Sequence, residues 1–232
     1  INEKISIVEY TNLFNTTDYI KNKTIQDLAN LFREEFKNSL YQRFSRSKNQ
    51  RIVLALSGGI DSGLIAAASN YDIGIKLPSI SVIYSDLTNY DETKLINESI
   101  EKNISESNFL KIDAENLIKD LPKLYKRFDT PISTVSIYMY DLLLKEAKIK
   151  GYNYILNGGS ADALFAGNYP AFMYNLADLY FSDESIFNLE AEKWINNFGT
   201  KQYPKSKELL IDFINNSVDI NCKGKILPIE IK

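Results

Sequence analysis

The chain has no histidine in its 232 residues. That absence excludes Ser-His-Asp and Cys-His nucleophile pairs and any histidine-bearing metal site. Acid–base work must fall to carboxylates, Lys, Tyr or water. The one cysteine, Cys222, has no second cysteine with which to form an internal disulfide or a CxxC pair. It reads as a small residue near a turn, and a reducing, cytoplasmic location is expected. No apolar run approaches bilayer-spanning length and no signal-peptide pattern opens the sequence, so no membrane partner is expected. Basic residues are not in surplus either: 27 Lys and Arg stand against 30 Asp and Glu, a net charge of -3. The short cluster Lys123, Lys126 and Arg127 reads as a solvated helix face, which disfavours nucleic acid as a partner.

What is present is a globular composition, 44% hydrophobic with 15 Tyr and 12 Phe, enough to bury a core. Thr24 with Asp27 three residues later marks a helix start. Ile25, Leu28, Leu31, Phe32, Phe36 and Leu40 then recur at helical spacing through about Arg43. Arg51–Leu56 is a short apolar run of the kind buried on both faces of a sheet. A helix over Ile60–Ser69 comes next, then a strand over Ser79–Tyr84, a polar helix over Asp91–Glu106 and a strand over Asn108–Ile112. Ala114–Phe128 reads as a helix interrupted at Pro122. Thr134–Lys150 reads as a helix capped by Gly151, and Tyr152–Asn157 as a fourth strand. Residues 171–232 read as helices and loops. Alternating strands and helices predict an α/β fold, a parallel twisted sheet covered by helices on both faces with a helical C-terminal part. The expected organisation is one domain over residues 1–232, with its core at about 24–175 and a helical extension over 176–232.

The informative segment is Leu54–Gly63, LALSGGIDSG. A buried strand enters Ser57-Gly58-Gly59 and a helix begins at once. Two glycines let backbone approach a ligand, and the helix start offers unpaired amides with the positive end of its dipole. Ser57 and Ser62 add hydroxyls. Asp61 is the unusual element, because a carboxylate beside a phosphate nest repels phosphate unless a cation lies between them. Mg²⁺, which combines carboxylate and phosphate oxygens, suits that position. The alternative, a plain strand-to-helix turn, does not account for the whole string. There is no Walker A loop and no GxGxxG.

SGGIDS resembles the SGGxDS loop of the PP-loop ATP pyrophosphatases, which grip the pyrophosphate of ATP and cleave between the α and β phosphorus atoms. Asn157–Gly167, NGGSADALFAG, resembles the SGEGSDELFGG segment of the asparagine-synthetase branch. Phe128–Tyr138, FDTPISTVSIY, is similar to that branch's Asp, Pro and Ser/Thr-rich stretch, and Leu227–Ile231, LPIEI, matches its LPxEI stretch loosely. The resemblance implies that Asp61 and Asp162 bind Mg²⁺ and pyrophosphate. It also implies that Ser57, Gly58, Gly59 and Ser62 hold the pyrophosphate. Leu56 and the main chain near Val82 and Ile83 would flank adenine, and Asn157 and Gly158 would lie against the nucleoside. Alone, Asp162 would be one more helix-start carboxylate.

Two positions depart from that pattern. Gly159 stands where the branch has the glutamate of SGEG, and Ala163 where it has the glutamate of SDE. Neither can do a carboxylate's acid–base or ionic work. Tyr152, Tyr154 and Tyr169 are the nearby candidates for a substitute proton acceptor. Lys223, Lys225 and Lys232 are candidates for the branch's lysine. The implied activity is ATP- and Mg²⁺-dependent adenylation of a small-molecule carboxylate, then amide formation with an amine or ammonia. No glutaminase domain is visible, so a separate one or a partner subunit would supply ammonia. The alternatives are adenylation of a carbonyl or amide for sulfur or nitrogen transfer, and a non-catalytic ATP-binding subunit.

Overall fold

The computed structural model describes residues 23–47, 50–84, 92–112, 114–128, 134, 136–165, 167–198 and 204–217. The chain divides into two units, Ile1–Gly158 and Gly159–Lys232.

The first unit opens with α1, Ile25–Arg46, started by a reciprocal capping box. The Asp27 amide donates to the Thr24 hydroxyl oxygen, and the Thr24 amide donates back to the Asp27 carboxylate at 2.9 Å. Hydrogen bonds from the Thr24 hydroxyl and amide hold the Asp27 carboxyl below its ordinary value. The helix then alternates with strands: β1 Ile52–Ala55, α2 Ile60–Tyr71, β2 Leu77–Tyr84, α3 Thr93–Asn103, β3 Ile104–Ile112, α4 Ala114–Phe128, α5 Ser136–Ile149 and β4 Tyr154–Leu156. All three strand pairings are parallel and the order is β3-β2-β1-β4.

Central β1 shows why its sequence is apolar at every position. Leu54 packs with Ile65, Ala66, Ala68 and Ile96 on the face covered by α1, α2 and α3. Val53 packs on the other face with Ile80, Leu143 and Ala147 from β2 and α5. Leu124 of α4 and Tyr138 of α5 close that second face over Ile112. A strand with helices on both sides has no solvent face to polarise.

The observed bounds revise several sequence expectations. β3 begins at Ile104, inside the stretch expected to continue the preceding helix. Ile104 pairs with Leu77 and Ser107 with Ser79, so β3 carries one extra residue there. That bulge flips the side-chain alternation and brings both Ile104 and Phe109 to the same core. The exposed Glu106 beside it disguises the strand as polar helix. α4 runs unbroken through Pro122, which lies on its exposed side, while Leu124 anchors the helix to the sheet. In α1 only the C-terminal part of the apolar stripe is packed: Leu40 is buried, whereas Ile25 and Phe32 are exposed.

The second unit begins with the short α6, Ala161–Leu164. It continues with α7 Tyr169–Ser182, α8 Glu184–Phe198 and α9 Lys207–Ser217. Met173, Leu176, Phe187, Trp194, Leu210 and Ile214 form its core. Phe172 stacks on Trp194 with centroids 4.9 Å apart. Asn168 caps α7 by accepting from the Ala171 amide at 2.9 Å.

Gly151 ends α5 with φ of +74°, and its amide donates to Lys148 O. Gly151→Ala places a side chain in the left-handed region and is expected to cost about 1 kcal/mol, read as a lower urea midpoint at unchanged slope.

Candidate functional site

The strand order reverses at β1: the chain builds outward through β2 and β3, then returns to place β4 on the other side of β1. In open parallel sheets the crevice for ligands lies at such a switch, outside the carboxyl ends of the strands. Two loops leave the sheet there, Leu56–Gly59 after β1 and Asn157–Gly158 after β4.

The first loop is held by its own serines. Leu56 is buried and its amide still donates to Ile80 O at 3.0 Å, which extends the sheet one residue past β1. The Ser62 hydroxyl is also buried. It donates to Ser57 O at 2.8 Å and accepts from the Ser57 amide at 3.1 Å. A hydroxyl has one hydrogen. With that hydrogen on Ser57 O, Ser57 supplies the proton of the 3.0 Å contact between the two hydroxyls. Gly59 N donates to Ser57 Oγ at 3.3 Å. Ser62 therefore reaches back from the first turn of α2 and clamps the loop against the helix start.

Gly59 occupies the N-cap position of α2, and no side chain caps that helix. Its first-turn amides thus face the carboxyl edge of the sheet without a side-chain acceptor, an arrangement suited to anions. Asp61 is half-buried at the second residue of α2, and among the described residues no Lys or Arg pairs with it.

Gly58 and Gly158 are required by contact. A Cβ on Gly58 would lie 2.7 Å from Glu92 Cβ, where the start of α3 packs against the loop. A Cβ on Gly158 would lie 2.6 Å from Asp61 Cβ and 3.1 Å from the Ser62 amide nitrogen. The exit of β4 is therefore pressed directly onto the first turn of α2. Sequence reasoning expected Gly158 near the site but did not find this contact, nor Glu92. The Glu92 carboxylate accepts a hydrogen bond from the Gly58 amide at 3.1 Å.

Val82 and Ile83 are half-buried near the carboxyl end of β2, opposite Leu110 and Lys111. Asn157 is exposed and lines, with Tyr140, Leu144 and Tyr154, a cleft of about 330 Å³ between α5 and β4. Tyr154 pairs with Ile52 at the amino end of the sheet, and Tyr152 lies just before it, under the Arg51 guanidinium at 4.7 Å from the ring centroid. Tyr154 is thus the first residue of the three-residue β4, with Tyr152 two residues before it, and both line the same cleft as Asn157. Residues 129–133, Cys222, Lys223, Lys225, Lys232 and the LPIEI stretch lie outside the described residues, as does the side chain of Tyr169.

Asp162 belongs to the second unit. It is exposed on α6, and its carbonyl accepts from the Gly167 amide at 2.9 Å. Ser160, two residues earlier, has φ of +70° and is the one non-glycine residue with positive φ among those described. Against SGEGSDELFGG, position 160 is the second glycine. The turn thus takes a left-handed conformation at a residue that is not glycine in this sequence.

Magnesium is the metal the family resemblance implies. Among the described residues no group of three or more His, Cys, Asp or Glu could hold an ion alone. Mg²⁺ bound by one or two carboxylates together with phosphate oxygens needs no such cage. Asp61, without a basic partner and beside an uncapped helix start, fits an ion that arrives with the phosphates.

A parallel sheet reversing at β1, with a serine-clamped SGGIDS loop on an uncapped helix, defines a PP-loop ATP pyrophosphatase fold, a class that binds ATP and carries ATP-dependent adenylation and ligase chemistry. The asparagine synthase family model matches residues 31–210, and the chain belongs to that family. A similar solved structure is the NH3-dependent NAD synthetase from Campylobacter jejuni. It is 17% identical, with a TM-score of 0.42 over 85% of this chain and 96% of that one. No curated protein matches the sequence.

Gly158→Ala is expected to cost about 1–3 kcal/mol, because Asp61 must move to admit the methyl group; thermal unfolding reads the loss. Ser160→Gly should act in the opposite sense, stabilising the second unit by about 1 kcal/mol as left-handed strain is relieved.

Proposed function

We propose that the chain adenylates an acceptor oxygen with ATP and releases pyrophosphate, which the SGGIDS loop holds. The observation carrying this reading is the uncapped start of α2 directly after Ser57-Gly58-Gly59, at the switch point of the sheet. In the reading closest to the family, a substrate carboxylate oxygen attacks the α-phosphorus. The bond from that phosphorus to the bridging oxygen breaks, and the electron pair leaves with pyrophosphate. An amine or ammonia then attacks the acyl carbon, expelling AMP and a proton to give an amide.

Most of this work is positioning and electrostatics. The first-turn amides of α2 and the amide of Gly58 would bind the departing pyrophosphate, with Ser57, Gly59 and Ser62 fixing the loop's shape. Leu56, Val82 and Ile83 would border adenine, and Asn157 the nucleoside. Asp61 would hold Mg²⁺, and the sequence resemblance gives Asp162 a metal-binding role as well. When bound, the ion supplies neutralisation of phosphate charge.

Gly159 and Ala163 favour a second reading. A site without the branch's two glutamates is poorly equipped to take a proton from an ammonium-type nucleophile. A carbonyl or amide oxygen as the acceptor, with nitrogen or sulfur transfer as the second step, keeps the ATP half and changes only the other half. An ammonia source in a separate glutaminase domain or partner subunit suits either.

Incubating the chain with ATP, Mg²⁺ and panels of carboxylates, amides and amines, with pyrophosphate release as readout, separates these acceptors. Asp61→Ala is expected to lower release at least a hundredfold with little change in melting temperature. Undiminished release by that variant refutes the assignment. ATP binding without release under any acceptor identifies a non-catalytic subunit.

A further inference from the structure

The Gly58 amide is one of the donors that the proposed function assigns to pyrophosphate, and it already donates to Glu92 Oε2 at 3.1 Å. An N–H carries one hydrogen, so a phosphate oxygen and the Glu92 carboxylate compete for it. They also repel each other as like charges. The contact is built into the fold. Gly58 lies against the Glu92 backbone and β-carbon, with Glu92 O 3.2 Å from where a Gly58 Cβ would be, and Glu92 is the N-cap residue of α3. Its side chain, however, caps no amide of α3. The carboxylate thus serves no helix-capping role; its one described hydrogen bond is to the loop. Glu92 is exposed, and no Lys or Arg pairs with it among the described residues.

We infer that Glu92 is an internal competitor for the pyrophosphate nest that sets its affinity. Pyrophosphate, or the β and γ phosphates of ATP, must displace the carboxylate from Gly58. When pyrophosphate departs, Glu92 retakes the amide. The apparent affinity is lowered by the fraction of molecules in which the amide is taken. This keeps a site rich in oriented amides from retaining its product. The inference rests on the reading of the loop as the pyrophosphate site. It does not depend on which acceptor is adenylated.

The test is calorimetric titration of the full chain with inorganic pyrophosphate at fixed Mg²⁺, comparing wild type with Glu92→Ala and Glu92→Gln. Because the side chain is exposed and caps nothing, both variants should melt with the wild type. Glu92→Ala is expected to bind pyrophosphate about three- to tenfold more tightly, as an amide held about 70–90% of the time is freed. Glu92→Gln should fall between, since its carbonyl still accepts from Gly58 without the charge. Equal affinity in all three proteins overturns the competitor role. Weaker binding by Glu92→Ala overturns it in favour of Glu92 as a ligand of the metal-bound pyrophosphate. If wild type and both variants fail to bind pyrophosphate, this inference and the reading of the loop fall together, whereas the first two outcomes leave that reading standing.

Discussion

Everything at the candidate site depends on one steric fact: the chain leaving β4 is packed against the first turn of α2 with no room for a side chain between them. Gly158 meets the Cβ and backbone of Asp61 and the amide nitrogen of Ser62. Parallel pairing of Ile52, Val53 and Leu54 with Tyr154, Ile155 and Leu156 brings the two strands out of the sheet side by side. Glycine at 158 then lets the second loop close over the first. A bulkier residue there would push the helix start off the sheet edge, and the orientation of its amides would go with it. The geometry of the candidate site is thus a property of two distant segments, anchored through backbone contact.

The same economy governs the loop itself. Ser62 uses its hydroxyl on Ser57, so the clamp is made within the SGGIDS string. The amides that remain point outward at a helix end where the dipole favours anions. A chain without histidine has little means of moving protons near neutrality, and a reaction whose difficult step is the departure of a polyphosphate asks little of that kind. It asks for fixed donors, and fixed donors are what a clamped loop on a helix start provides. The half-buried Asp61 and the exposed Glu92 add negative charge beside Gly58 and Gly59.

The sheet was legible because its central strands are apolar on both faces, and a run such as Ile52–Ala55 has few other uses. The loop was legible because its residues are consecutive. The features that escaped were non-local or contrary to pattern. The Gly58–Glu92 hydrogen bond joins residues 34 apart with nothing in the intervening sequence to signal it. The β3 bulge shifts alternation by one residue, so Ile104 and Phe109 share a core that a strict two-residue period would divide between faces. Pro122 reads as a break, yet a helix held to the sheet by Leu124 tolerates it on the exposed side.

Ser160 shows a backbone demand within the second loop. An L-residue with a β-carbon in the left-handed region costs roughly 1 kcal/mol. The neighbouring Gly159 could adopt that conformation freely, but the chain places it at Ser160. The position of the turn is therefore dictated by the Ala161–Leu164 helix it leads into, with Asp162 at the second residue and its carbonyl tied to Gly167. Residues 159 and 163 carry only a hydrogen and a methyl group, while the backbone leading into Asp162 holds Ser160 at an energetic disadvantage. Acid–base chemistry by side chains at 159 and 163 is closed to this chain, while the left-handed turn leading into Asp162 is present. This asymmetry separates the two halves of the proposed reaction. In the proposed reaction the ATP half would draw on backbone amides and aspartates, which this chain has, and the acceptor half would draw on groups other than carboxylates at 159 and 163.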